Sequence, residues 1–150
     1  MIDVILEEAA WEAAEPAAAA LAEITATAVL THERAAERDI AILLADDARV
    51  AALNASFRGK SEPTNVLSFP AAASAQELGD IALAFGVCAR EAAEQGKSLA
   101  HHLQHLTAHG VLHLLGYDHE SDVEAEAMEA KERAILAGLG VADPYAPRTR

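Results

Sequence analysis

The chain contains a single cysteine, Cys88, so it can form no internal disulfide. That absence fits a reducing compartment. It has no run of about 18 apolar residues, so no segment is expected to span a membrane. Lys and Arg are missing from the first thirty residues, and "MIDVILEEAAWEAAE" carries only acid. A signal or transit peptide starts with basic residues, so neither is expected, and the protein is read as cytoplasmic. There are no internal repeats and no linker that marks a second domain. The 150 residues are therefore expected to form one domain, residues 1–150, with a core of useful size.

Alanine and acid are both abundant. Alanine makes up about a quarter of the residues. It favours helix but buries little area, so the core is expected to rest on Leu, Ile, Val and Phe. Asp and Glu number 24 against 11 Lys and Arg, a formal net charge of −13. Such an excess argues against loose nucleic-acid binding driven by phosphate neutralisation. The sign is uneven, however. Residues 120–132 are mostly acidic, while Arg49, Arg58 and Lys60 stand mid-chain and leave a local basic site open.

Patterning predicts alternating strands and helices. "DVILEEA" reads as a first strand, and Pro16 opens an alanine-rich helix to about His32, with Leu21, Ile24 and Ala28 at helical spacing. Ile40, Ile42 and Leu44 make a second strand, and Asp46 and Asp47 are placed to cap the helix after it. "RGKSEPTN" is turn chemistry, and "VLSF" is a strand stopped by Pro70. "AAASAQELGD" lacks periodicity and reads as a surface loop, "IALAFGV" as a strand, and "CAREAAEQG" as a helix ended by Gly96. Ser98 caps a long helix running to Leu115, with Gly116 as terminator. A last amphipathic helix covers about 122–138, and "DPYAPRTR" reads as a loose tail. The fold expected is α+β, a small mixed sheet of about four strands flanked by helices.

The long helix ends in "HGVLHLLGYDH" (residues 109–119). His109 and His113 lie four apart, so both imidazoles project from one helical face about a turn apart. Gly116 lets the chain fold back, which allows His119 to return to the same point. Three neutral nitrogens leave a fourth position open, the arrangement of a catalytic rather than a structural zinc site. The spacing is that of H-E-x-x-H-x-x-G-x-x-H, but Gly110 stands where a zinc peptidase has its catalytic glutamate. That substitution argues against ordinary peptide hydrolysis. A bound metal can lower its water's pKa to about 7 without a strong protein base, and so serve phosphodiester cleavage. Arg58 is the candidate for the developing negative charge, since guanidinium matches phosphate bidentately. His102 and His105 read as supporting or core histidines, and Asp118 as a capping residue or a hydrogen-bond partner of a ligand.

"LNASFRGKSEPTNVLSFP" (53–70), "GDIAL" (79–83), "HGVLHLLGYDHESD" (109–122) and "MEAKERAILAGLGVADPY" follow one another in the order found in the YbeY family of bacterial rRNA maturation endoribonucleases. The sequence resembles that family from about Asp39 onward. The resemblance implies a small mixed sheet with a zincin-like metal helix, and zinc held by His109, His113 and His119. It further implies a single-strand-specific endoribonuclease, acting in 3′-end maturation of small-subunit (16S) rRNA and in ribosome quality control. His113 and Arg58 would serve catalysis, Arg58 and Lys60 would bind substrate, and Asp118 and His105 would support the ligands. Small-subunit rRNA and ribosome-associated proteins are the expected partners. Ser61 and Glu62 make the central loop less basic than is common in the family. Two other readings stand beside this one: a metal-stabilised module that docks on the ribosome without cutting, and a metzincin-like peptidase.

Overall fold

The apolar runs read as strands assemble into one sheet. The computed structural model describes residues 1–58, 64–71 and 76–146, the side chains of Phe57 and Arg58 excepted. Strands β1 (Ile2–Leu6), β2 (Asp39–Ala45) and β4 (Glu77–Ala84) run parallel, and β3 (Val66–Pro70) pairs antiparallel with β4 at one edge. The order is β1-β2-β4-β3. Around the sheet stand α1 (Ala10–Ala14), α2 (Ala18–His32), α3 (Asp47–Arg58), α4 (Phe85–Gln95), α5 (Leu99–Leu114) and α6 (Asp122–Gly138). The expected α+β class, with a mixed four-stranded sheet flanked by helices, is what forms. None of the described helices is long and apolar enough to cross a membrane.

Period-2 alternation divides the sheet into two faces. Ile40, Ile42, Leu44, Ile81 and Leu83 point into the main core with Leu103, Val111 and Leu112 of α5. On the other face Leu67, Ala82, Ala84 and Val50 form a smaller cluster with Leu43, Leu53 and Phe69. The α5 helix therefore lies on one face and α3 on the other.

Four local expectations need correction. The buried stripe of α2 is Ala18, Ala22, Thr25, Ala26, Val29 and Leu30, while Ile24 is 50% exposed. Small residues let α2 approach its neighbours closely, which matters more here than the area each side chain buries. The segment expected to be a loop is already strand at Glu77, because β4 is paired on both sides, with β2 and β3. Helix α4 starts at Phe85, where strand was expected, because the Asp47 carboxylate accepts the Val87 N–H at 3.0 Å and caps it. The short helix α1 was not anticipated. It places Trp11 in the core, fully buried, with its indole N–H donating to Ala45 O at 3.0 Å and its ring edge-on to Phe85.

Other boundaries fall where the sequence placed them. Asp46 Oδ1 accepts the Arg49 N–H, Ser98 caps α5 through His101 N–H, and Gly96 ends α4 at φ 67°. Trp11→Ala is expected to cost about 3–5 kcal/mol, by the lost burial, the cavity and the orphaned carbonyl. Urea unfolding followed by circular dichroism would check this, and a midpoint equal to that of the wild type would contradict it.

Candidate metal centre

The last two turns of α5 carry His109 and His113, and the turn after it brings His119 back. Gly116, at φ 103°, provides the left-handed residue that this reversal needs. The ring centroids are 4.7 Å apart for His109 and His113, 5.1 Å for His113 and His119, and 5.5 Å for His109 and His119. One nitrogen from each ring lies within 4.8 Å of the others, the one such metal-capable group among the described residues. Nitrogens bound to a single tetrahedral ion at about 2.0–2.1 Å would sit a little over 3 Å apart, so a small closure of the rings suffices. Donor type and spacing both fit a borderline divalent ion. Burial, and then the nearby His109 and His119, lower the pKa of His113, which keeps it in the neutral form a ligand must have.

The turn itself is clamped. Tyr117 Oη donates to Glu33 Oε1 at 2.5 Å, and Lys131 Nζ donates to Glu33 Oε2 at 3.0 Å. These bonds tie the residues between His113 and His119 to the C-terminus of α2 and to α6. Burial alone would raise the Glu33 carboxyl, but hydrogen bonds from Tyr117, His32 and Lys131 hold it below its ordinary value. Asp118 Oδ1 accepts the His119 backbone N–H at 2.8 Å, so Asp118 caps the turn.

A carboxylate that pattern reading passed over stands beside the trio. Glu132 of α6 is fully buried, with Oε2 facing His109 Nδ1 at 3.2 Å and Oε1 facing His105 Nε2 at 2.8 Å. Tyr145 Oη donates to the same Oε1 at 2.7 Å. Burial by itself would raise this carboxyl, yet the bonds from His105, His109 and Tyr145 bring it down to about 2. The tail is thus not loose as far as residue 146: Arg133 pairs with Asp143 at 3.3 Å and lies 5.6 Å over the Tyr145 ring. The sequence did carry one signal for Glu132. It occupies the apolar stripe of α6 with Met128, Ile135 and Leu136, where a charged residue needs a partner.

His105 therefore hydrogen-bonds Glu132, and its ring stands edge-on to that of His109 with centroids 6.5 Å apart. His102 is buried against Glu91 at 2.9 Å, and Asn65 Nδ2 donates to the same carboxylate at 3.0 Å. Arg58 closes α3, but its side chain, like Lys60, Ser61 and Glu62, lies outside the described residues. A cavity of about 250 Å³ opens beside His109 and His119, walled by Ala125, Glu129 and Tyr145, with Glu132 fully buried behind it. A larger groove of about 840 Å³ lies across the α3 face of the sheet, among Asp3, Asp39, Ala41, Phe69 and Asp80, and includes none of the three histidines.

The place of the missing glutamate is explained by packing. Gly110 lies flat against the sheet, and its carbonyl accepts the Ser68 hydroxyl at 3.0 Å. A Cβ there would come within 3.1 Å of Ile81 Cγ2 and 3.3 Å of Ser68 Oγ. A longer side chain could not be added without pushing the Ile81 and Ser68 side chains aside.

Fold and site together define a small α+β chain with a cluster of three histidines at the end of α5, where packing against the sheet leaves a glycine in place of a glutamate. The profile of the family described as Endoribonuclease YbeY matches residues 6–140. A Rhodopseudomonas palustris (strain BisB18) protein named Endoribonuclease YbeY is 50% identical over 157 residues, covering 99% of this chain and 94% of that protein. A protein of the same name from Dinoroseobacter shibae is 47% identical over 162 residues, covering 96% of this chain and 90% of its own length. The solution structure of TM1509 from Thermotoga maritima superimposes with a TM-score of 0.62 at 22% identity, covering 98% of this chain and 100% of that one, and shares the fold. The chain belongs to the YbeY family.

Gly110→Glu is expected to destabilise the protein by roughly 3 kcal/mol or more, through overpacking and a buried carboxylate. It should yield no peptidase. Denaturant unfolding together with a peptide-library assay would check both points, and a variant of wild-type stability that cuts peptides would contradict them.

Proposed function

We propose that this protein is a metal-dependent endoribonuclease that cuts single-stranded RNA in 3′-end maturation of small-subunit rRNA and takes part in ribosome quality control. The observation that carries the reading is the convergence of His109, His113 and His119 on one point, with a cavity opening beside His109 and His119, in a chain of the YbeY family. When bound, a divalent ion, with zinc first among the borderline metals, would supply Lewis acidity and a water of lowered pKa.

The chain's own residues have distinct parts. His109, His113 and His119 are the proposed ligands, held neutral and oriented by the clamped turn and by α5. Gly110 offers no carboxylate at the motif position where a zinc peptidase carries its proton-shuttling glutamate, and this disfavours the peptidase reading. Arg58 is proposed to hold the phosphate and offset its developing charge, and Lys60 to bind the RNA backbone. With a net charge of −13 the chain gains little from bulk electrostatics, so RNA must be held by such local contacts. Small-subunit rRNA is the proposed substrate and ribosome-associated proteins the proposed partners, in a single-domain protein of the cytoplasm.

The test is cleavage of an RNA carrying the unprocessed 3′ end of small-subunit rRNA. His113→Ala is expected to lose both metal and cutting, with its circular dichroism unchanged. Arg58→Glu should keep the metal but lose roughly 10²–10³-fold in cleavage rate. Equal cutting by wild type and His113→Ala would overturn the reading. Cutting by neither, with ribosome binding retained by both, would favour a docking module instead.

A further inference from the structure

Glu132 is an expensive residue for its place. A fully buried carboxylate is tolerated only when charge and hydrogen bonds compensate it, and replacing such a network with apolar residues often costs nothing. Its two oxygens have divided roles. Tyr145 and His105 both take Oε1, which leaves Oε2 turned to His109 Nδ1. A carboxylate only accepts, so His109 Nδ1 must carry the hydrogen and Nε2 keeps its lone pair. That nitrogen is then the one available to the trio.

We propose that Glu132, braced by Tyr145 and His105, is the positioning residue that fixes His109 in the tautomer and orientation for metal ligation. The segment 143–146 thereby becomes part of the metal centre. This rests on the reading of the trio as metal ligands. Glu132 is not itself a general base: it has no exposure, and both of its oxygens are engaged.

The brace is built from the tail. Asp143 Oδ1 accepts the Tyr145 N–H at 2.8 Å, and Asp143 Oδ2 pairs with Arg133 of α6, one residue after Glu132. The Arg133 guanidinium also stacks over the Tyr145 ring. The tail is thus fastened to the same helical turn whose carboxylate it braces. Tyr145 lies beyond the residues that the family profile matches.

The experiment compares wild type, Glu132→Gln and Tyr145→Phe for zinc affinity by competition with a chromogenic chelator. Nitrogen-15 NMR of the metal-free proteins at pH 8 reads the tautomer of His109. Partners of this kind are typically worth 10–100-fold in metal affinity, so Glu132→Gln should weaken zinc binding by that factor. Tyr145→Phe, which keeps the ring and loses one donor, should weaken it several-fold. Wild-type His109 should be the Nδ1–H tautomer, and Glu132→Gln should lose that preference.

A folded Glu132→Gln protein with zinc affinity within twofold of wild type would overturn the assignment, as would an Nε2–H tautomer in the wild type. Should Glu132→Gln fail to fold by circular dichroism, the Tyr145→Phe affinity and the wild-type tautomer decide the matter alone. Absence of zinc binding by the wild type would overturn the metal reading and this assignment with it. Equal binding by wild type and Glu132→Gln overturns this assignment only.

Discussion

The structure depends on how closely helix α5 approaches the sheet. At Gly110 the helix backbone itself, rather than a side chain, meets Ile81 and Ser68, and a single added methyl would crowd both. Helix–sheet layers are normally separated by interdigitating side chains; here one residue of α5 removes that spacer. The hydrogen bond from Ser68 to the Gly110 carbonyl fixes the helix along its axis as well. His109 and His113 flank this contact, so their position relative to β3 and β4 is set by a close helix–sheet approach. The contact that places two of the three histidines is also the one that removes room for a glutamate.

Beyond α5, the site is held together by two acids, Glu132 buried and Glu33 half-buried. Glu33 joins the C-terminus of α2 to the turn carrying His119 and to Lys131 of α6. Glu132 joins α6 to α5 and to the tail. Both carboxyls sit below their ordinary pKa, so their hydrogen-bond partners outweigh the desolvation that each suffers. Their value lies in direction: each accepts from donors on different elements and so specifies one arrangement of rings. Glu33 holds the third histidine's turn, and Glu132 faces the first.

The histidine trio was legible because its geometry is local. Four residues on a helix, then a glycine and a three-residue return, are spacings that fix ring positions without knowledge of the rest of the fold. Strand β2, the caps Asp46 and Ser98, and the span of α6 were legible for the same reason. Glu132 and Tyr145 were not, since they reach His105 and His109 only after α6 and the tail dock on α5. On α2, Leu21 and Ala28 pack against the core as their spacing suggests, but Ile24 is exposed and alanines make up half of the fully buried stripe. Strand β4 was read as starting late because Glu77 and Asp80 look like loop residues; double-sided ladder pairing outweighs their polarity. The segment that carries Lys60 lies outside the described residues, so its part in RNA binding rests on resemblance.

The most direct measurement is X-ray absorption at the zinc edge of the purified, zinc-loaded protein. The account predicts three imidazole nitrogens at about 2.0–2.1 Å, and a remaining ligand that is oxygen from solvent. Substituting His119 should reduce the imidazole count by one. A sulfur ligand, fewer than three imidazoles in the wild type, or a closed set of four protein ligands would contradict it.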